Sequence, residues 1–463
     1  LIISIDFGSG FSGYAFNVKP RQEGGETQIK RWRNGLGLDT PKTPTCILFD
    51  EHEEFMKFGY EAKTAFNNMR EEEAKKHYFF EDFKEDILDI VSKSKEDILG
   101  REIRTANRKS MSILKVFTEV LRFLKDDALK TIRSHPEGGE FTASDFTWVM
   151  TVPESLTDFR KQFMKEAAAQ AGLVTDATKD KLMFVLESEA ALTWCLKLQP
   201  DGFITQNHSR DSQDQPAGAA EPDTSSVRRP GKVTVFTVKP EETKVLLETQ
   251  RDGKRYLVVD CGDERSHFTV HEVLEGGALK LHEAFGIYCG GKHVDGKFQQ
   301  FLIEIFSDKV WNEYEQNFPN EVQKMMYDFS RLKQVDEDVQ ISCPGNLVML
   351  AQKQKEIQID DGSIRISREK LKTFYDKSLQ EITNKLREIL NKNLNIGFIV
   401  LVGGLAESQI LRQHITDQFG RQYKVLCPLR PQEAILKGAV ELGRNPEMVE
   451  PQRKRPAWFR CWS

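Results

Sequence analysis

The sequence contains no long uninterrupted apolar run. Its longest stretches, such as Ile396 to Ala406, are about half of the roughly 20 residues that a membrane-spanning helix requires, and glycines interrupt them, so no membrane span is expected. Basic residues are not in excess: 66 Lys and Arg face 71 Asp and Glu, for a net charge of −5. That balance lacks the footprint of a nucleic-acid binder, and the Arg453-Lys454-Arg455 cluster reads as a solvated tail. There is no Cys-x-x-Cys pair. The seven cysteines stand singly, with no histidine at metal-ligand spacing, which argues against a disulfide scaffold or zinc site and fits a reduced, cytoplasmic compartment. A charged leader is also missing. Leu1 runs directly into Ile2-Ile3-Ser4-Ile5-Asp6, which reads as a core strand, so an interior start without a secretory signal is expected.

What is present points to two or more domains, since 463 residues exceed one ordinary core. Residues 205–231 are rich in Ser, Asp, Gln, Pro and Gly and nearly free of apolar side chains, so they are expected to be a disordered insertion. They separate two segments that look alike. Each opens on an apolar strand and a turn, Ile3-Ser4-Ile5-Asp6-Phe7-Gly8-Ser9-Gly10 and Tyr256-Leu257-Val258-Val259-Asp260-Cys261-Gly262. Each closes on a small-residue helix, near Glu187-Ser188-Glu189-Ala190-Ala191 and Glu433-Ala434…Gly438-Ala439. Trp148 to Pro153 reads as a buried strand, followed by a helix from about Thr157 that stops at Gly172. Strands alternating with helices predict a duplicated α/β chain of two lobes facing across a cleft. Residues 60–130 read as helical, with Phe79, Phe80, Phe83 and Ile87 on a buried face, and 364–394 as one long amphipathic helix.

The turn at Gly8, Ser9 and Gly10 lets backbone N–H groups approach phosphate oxygens, and Asp6 before it suits a hydrated Mg²⁺; read alone, the same pattern also describes a plain hairpin. A second glycine turn, Gly403-Gly404, follows the strand Phe398 to Val402, where close strand-to-helix packing is the alternative.

The combination is more specific than its parts. Asp6-x-Gly-Ser-Gly, Thr151-Val152-Pro153, Leu186-Glu187-x-Glu189-Ala190-Ala191, Asp260-Cys261-Gly262, Val402-Gly403-Gly404 and Glu433-Ala434 occur in the order of the actin, heat-shock and sugar-kinase superfamily. Together with Ser12-Gly13-Tyr14-Ala15, Lys42-Thr43-Pro44-Thr45 and Gln170-Ala171-Gly172-Leu173, the chain resembles a divergent branch of the 70-kilodalton heat-shock chaperones. The resemblance implies an actin-like, ribonuclease-H-like duplicated core: residues 1–195 with a helical insertion at about 45–110, and 232–463 with another at about 296–360. It implies ATP or ADP bound with Mg²⁺. Gly8, Ser9, Gly10, Gly262 and Arg265 would lie at the phosphates, Gly403 and Gly404 at the nucleoside, Asp6 and Asp260 at the metal shell, Glu187 near the attacking water, and Lys84 at the γ-phosphate.

Departures from the family pattern carry as much weight. Where relatives read Asp-x-Gly-Gly-Gly-Thr-x-Asp, this chain reads Asp260-Cys261-Gly262-Asp263-Glu264-Arg265-Ser266-His267. Two carboxylates therefore stand beside an expected polyanion, where like charges repel, with Arg265 as a partial offset. Phe329 and Leu332 stand where the family's adenine-side helix carries Glu and Lys, and Gln432 where many relatives carry Asp. The expectation is ATP binding with hydrolysis slow or absent. A competent ATPase, a sugar or metabolite kinase and a nucleotide-independent scaffold for other proteins are the alternatives. The chain ends soon after the Gly438-Ala439 helix, so no peptide-binding domain is expected within it.

Overall fold

The computed structural model describes residues 1–33, 39–84, 100–105, 108–204, 255–354 and 362–449. The expected insertion at 205–231 lies outside them, as do Ile87 and Cys461. Two larger sheets organise the chain, and five of the six strands of the first match the five of the second. In the first, β1 (Ile2–Phe7), β2 (Phe11–Asn17), β3 (Gln28–Ile29), β4 (Thr147–Val152) and β5 (Leu182–Leu186) follow the order β5-β4-β1-β2-β3. The second holds β6 (Arg255–Cys261), β7 (Ser266–Val273), β8 (Leu279–Ile287), β9 (Ile396–Val402) and β10 (Lys424–Leu426) in the order β10-β9-β6-β7-β8. In both, the first strand pairs in parallel with the fourth and antiparallel with the second. The duplication expected from the repeated strand-Asp-x-Gly pattern is thus present in the topology.

Helices follow the same plan. In chain order they are α1 (Ile113–Arg133), α2 (Asp158–Gln170), α3 (Glu187–Lys197), α4 (Gly291–Phe306), α5 (Pro319–Leu332), α6 (Arg368–Leu390), α7 (Gln409–Phe419) and α8 (Ala434–Arg444). The β4-α2-β5-α3 run of the first half has its counterpart in β9-α7-β10-α8. Local chemistry sets the boundaries: Thr157 Oγ1 accepts the Arg160 N–H at the start of α2, and Gly172 adopts φ +77° just beyond its end. In α6 the predicted stripe Leu371, Phe374, Leu379, Ile382, Leu386 and Ile389 is buried throughout, and Ser367 Oγ caps its start at 3.1 Å from the Lys370 N–H. Residues 363–366 form a strand instead of extending that helix.

The insertion in the first half is not wholly helical. Strands Cys46–Phe49, Phe55–Phe58 and Tyr78–Glu81 form a three-stranded sheet beside the helix Gly59–Asn68. Phe79 and Phe80 lie on a strand, not a helix: across the ladder Phe80 sits opposite Ile47 and Phe79 opposite Leu48, and Phe79 also stacks on Phe66 of the helix at 4.5 Å. The insertion in the second half is mostly helical, with a short ladder between Val339–Ser342 and Ser363–Ile366.

Each sheet covers its own apolar core, and a third cluster joins them through α3 and α8. These two helices meet on small residues. A Cβ at Gly438 would lie 1.6 Å from the Ala190 carbonyl oxygen, so only glycine permits the backbones to approach this closely. Gly438→Val is therefore expected to destabilise the fold by about 3 kcal/mol, the upper range for overpacking, because backbone cannot yield as a side chain does. Urea unfolding, read as the shift in midpoint against wild type, checks it.

Candidate functional site

Strand order brings the predicted residues to one place. Asp6 ends β1 and Asp260 ends β6, in equivalent positions of the two sheets; Thr151 lies beside Asp6 on β4, Gly403 follows β9, and Glu187 opens α3. Carboxyl ends of parallel strands are the usual seat of ligands in open α/β sheets. A surface groove of about 480 Å³ lined by Asp336, Lys372 and His414, among others, lies elsewhere and contains none of these residues.

The first glycine turn is held rigidly. Thr45 donates its hydroxyl to the Gly8 carbonyl at 2.8 Å and its N–H to the Gly10 carbonyl at 2.9 Å. A Cβ on Gly8 would meet the Phe11 carbonyl oxygen at 2.2 Å. Asp6 behind the turn is buried and fully engaged. Its Oδ1 accepts from Thr151 Oγ1 at 2.8 Å and its Oδ2 from Lys42 Nζ. Burial pushes the Asp6 carboxyl up, but Lys42 and then Lys84 outweigh it and hold the group below the usual range. Lys42 itself is kept above its ordinary value against burial, chiefly by Asp6.

Lys84 Nζ lies 3.5 Å from Glu187 Oε1, both side chains nearly buried. Burial pushes the Glu187 carboxyl up to about 8; Lys84 opposes the shift, while Asp6, Asp260 and Glu154 add to it. Burial likewise raises Asp260, with His267 and Lys42 opposing. Glu187 therefore keeps its proton in the folded chain over a range in which the unfolded chain has lost it. The native state binds more protons there, so stability is expected to fall as pH rises from about 4.5 towards about 8. Glu187→Gln should flatten that slope, and chemical denaturation at several pH values measures it.

The second turn is built differently. Gly262 donates its N–H to the Arg265 carbonyl at 3.0 Å, and the loop is braced by the start of α4, where the Gly291 and Lys292 N–H groups donate to the Gly262 and Asp263 carbonyls. Asp263 projects onto the first turn: a Cβ on Gly10 would lie 2.3 Å from its Oδ2. Burial pushes the Asp263 carboxyl up to about 6, with Lys292 and Lys333 opposing and Asp295 and Glu264 adding. Glu264 pairs with Lys292, whose ammonium also binds Asp82 from the first half. Arg265 is turned away onto Tyr288, its guanidinium 3.9 Å from the ring centroid and bonded to the hydroxyl. The offset expected of Arg265 is thus spent on an aromatic ring and not aimed at the turn.

Gly403 has φ +89°, and a Cβ there would strike Asp260 Oδ1 at 2.4 Å and the Cys261 carbonyl oxygen at 2.6 Å. Glycine here allows close packing of the turn after β9 on the end of β6. Gly404 faces open space, with nothing within 4 Å of an added Cβ. Phe329, expected on the adenine side, is buried and stacks on Phe298 at 4.0 Å. Sequence reasoning missed Glu154, which is buried, accepts from Ser188 Oγ and lies 3.9 Å from His267 Nδ1. It also missed the role of Lys42, although the Lys42-Thr43-Pro44-Thr45 run was visible.

Comparison with known proteins bears on this arrangement directly. A protein-family model described as "Hsp70 protein" matches residues 246–444, which include β6 with Asp260, the second turn, Gly403 and α8. Heat shock 70 kDa protein 12A of Mus musculus is 29% identical over 98% of this chain and 70% of its own length. The chain is thus similar to Hsp70-family proteins along nearly its whole length, and residues 246–444 carry the Hsp70 match. Human heat shock 70 kDa protein 12B is likewise 29% identical over 98% of the chain and 70% of its own length, and a heat shock protein homolog of Saccharomyces cerevisiae is 24% identical over 39% of the chain and 25% of its own length. The two turns differ in build: the first is latched by Thr45, and Asp263 of the second lies against Gly10 of the first. Among the described residues no helix is long and apolar enough to cross a membrane, and no group of three or more His, Cys, Asp or Glu is placed to hold a metal ion. Asp6, expected with Asp260 at a hydrated Mg²⁺, already accepts one protein donor on each oxygen, from Thr151 and from Lys42.

Proposed function

We propose that this Hsp70-like chain is an actin-like, two-lobed domain that binds an adenine nucleotide between its halves and hydrolyses it slowly or not at all. The phosphates would face Gly8, Ser9 and Gly10, with Gly262 opposite, and the nucleoside would lie over Gly403 and Gly404. The observation that carries the reading is the burial of Asp6, Asp260, Lys84 and Glu187 together at the carboxyl ends of two matching sheets. Buried charge is retained at such expense chiefly where a ligand or reaction uses it. Slow hydrolysis follows from Asp263. Phosphoryl transfer to water depends on positioning and charge stabilisation, and a carboxylate against Gly10 opposes both. A cytoplasmic location accords with the single cysteines, and a heat-shock role with the relatives' names.

Gly404→Val tests the placement of the nucleoside, since the open space there admits the side chain without disturbing the fold. It is expected to weaken ATP binding about fivefold, or about 1 kcal/mol, with the unfolding midpoint unchanged. Gly403 is the poorer probe because of its contacts with Asp260 and Cys261. Titration calorimetry of the wild type and Gly404→Val with ATP and ADP decides the matter. Absence of any binding heat or thermal stabilisation for wild type would favour the scaffold alternative.

A further inference from the structure

Lys42 occupies a prepared position. The strand Thr43–Pro44 pairs with Phe11 and Ser12 on β2, fixing the backbone just beyond it, and Thr40 Oγ1 bonds the Lys42 carbonyl at 2.8 Å. The aliphatic stem passes Gly13, where a Cβ would come within 3.2 Å of Lys42 Cγ. The ammonium ends on Asp6 Oδ2 and lies close enough to Asp260 and Glu187 to be stabilised by both. A cation therefore already sits among the three carboxylates of the site, tethered to the chain. We infer that the Lys42 ammonium takes the charge-balancing place of a divalent cation, so that this chain binds nucleotide without Mg²⁺. The inference rests on the nucleotide-binding reading proposed for the same site.

Three consequences follow. A divalent ion would have to share Asp6 with two donors already in place, because one oxygen accepts from Thr151 and the other from Lys42. A compact ammonium on a flexible stem can serve an anionic ligand as a point charge, as lysines do at phosphate sites. A second cation at the same carboxylates would compete with Lys42 for Asp6.

The test is calorimetric titration of the full chain with ATP, once with Mg²⁺ and once with a chelator in place of the metal. Equal affinities in the two buffers, within about twofold, are expected. In Lys42→Met the chelated affinity should fall about tenfold, and Mg²⁺ should restore it, because the vacated carboxylates can then take the ion. Thermal unfolding with Mg²⁺ alone supplies a readout that needs no nucleotide: wild type should not shift, and Lys42→Met should be stabilised. Binding by wild type only with Mg²⁺ would overturn the inference while leaving the nucleotide reading intact, as would a wild type stabilised by Mg²⁺ alone. No binding in either buffer would remove the nucleotide reading itself.

Discussion

Replacing Asp263 and Glu264 with glycine and Arg265 with threonine is expected to raise phosphate release from ATP about a hundredfold. Removing the Asp263 side chain clears the face of Gly10, where its Oδ2 now lies, and returns two backbone N–H groups to close approach. Removing Glu264 leaves Lys292 paired with Asp82 alone, and threonine at 265 places a hydroxyl where the arginine now turns onto Tyr288. Loss of one well-placed donor at a developing oxyanion commonly costs about 2.7–4 kcal/mol, and each 1.36 kcal/mol is about tenfold in rate. Recovering one such donor therefore accounts for the expected gain. The remaining groups are already placed, with Lys84 and Glu187 at 3.5 Å and Asp6 fixed by Thr151. Wild type, the triple variant and the triple variant carrying Glu187→Gln should be compared by phosphate release. If the triple variant is no faster while both bind nucleotide, the second turn is not the obstacle, and Gln432 and the Lys84 position come next.

Nucleotide affinity is expected to fall as pH rises through about 6, and Asp263→Asn should abolish that fall. The Asp263 carboxyl is neutral below that pH and charged above it, because burial raises it while Lys292 and Lys333 only partly oppose. Asp295 and Glu264 face it as further carboxylates. Charged Asp263 repels phosphate; two unit charges about 4 Å apart interact by about 4 kcal/mol at a surface-like dielectric, and the lysines screen part of it. A change of about 2 kcal/mol, roughly thirtyfold in affinity, is the expected span. Because phosphate titrates in the same region, the quantity to measure is the difference between wild type and Asp263→Asn, from which the ligand's own ionisation cancels. A difference that does not vary with pH would place Asp263 away from the phosphates.

Much of this was legible in the sequence because the strongest signals are repeated. The apolar strands ending in Asp6 and Asp260, and the helices carrying Ala190 and Gly438, showed the duplication before any topology was known. The long helix with Leu371 to Ile389 on one stripe was visible for the same reason, a sustained period of 3.6. The strand at Tyr78–Glu81 was not, because four residues with consecutive aromatics fit either period, and only pairing with Cys46–Phe49 decides between them. Within the site, Glu154 and Lys42 were hidden because burial is what makes them chemical, and burial is set by elements distant in sequence. Arg265 misled for a related reason: its charge was visible, but the ring of Tyr288 that captures it was not.

The central claim, that nucleotide is bound but barely turned over, meets its most direct test in a single experiment. The purified chain is incubated with ATP, separated from free ligand by gel filtration, and the nucleotide it retains is identified chromatographically. The account predicts stoichiometric nucleotide recovered chiefly as ATP from wild type. Recovery of ADP from wild type would show that the second turn does not block hydrolysis, and recovery of no nucleotide at all would contradict the account at its base.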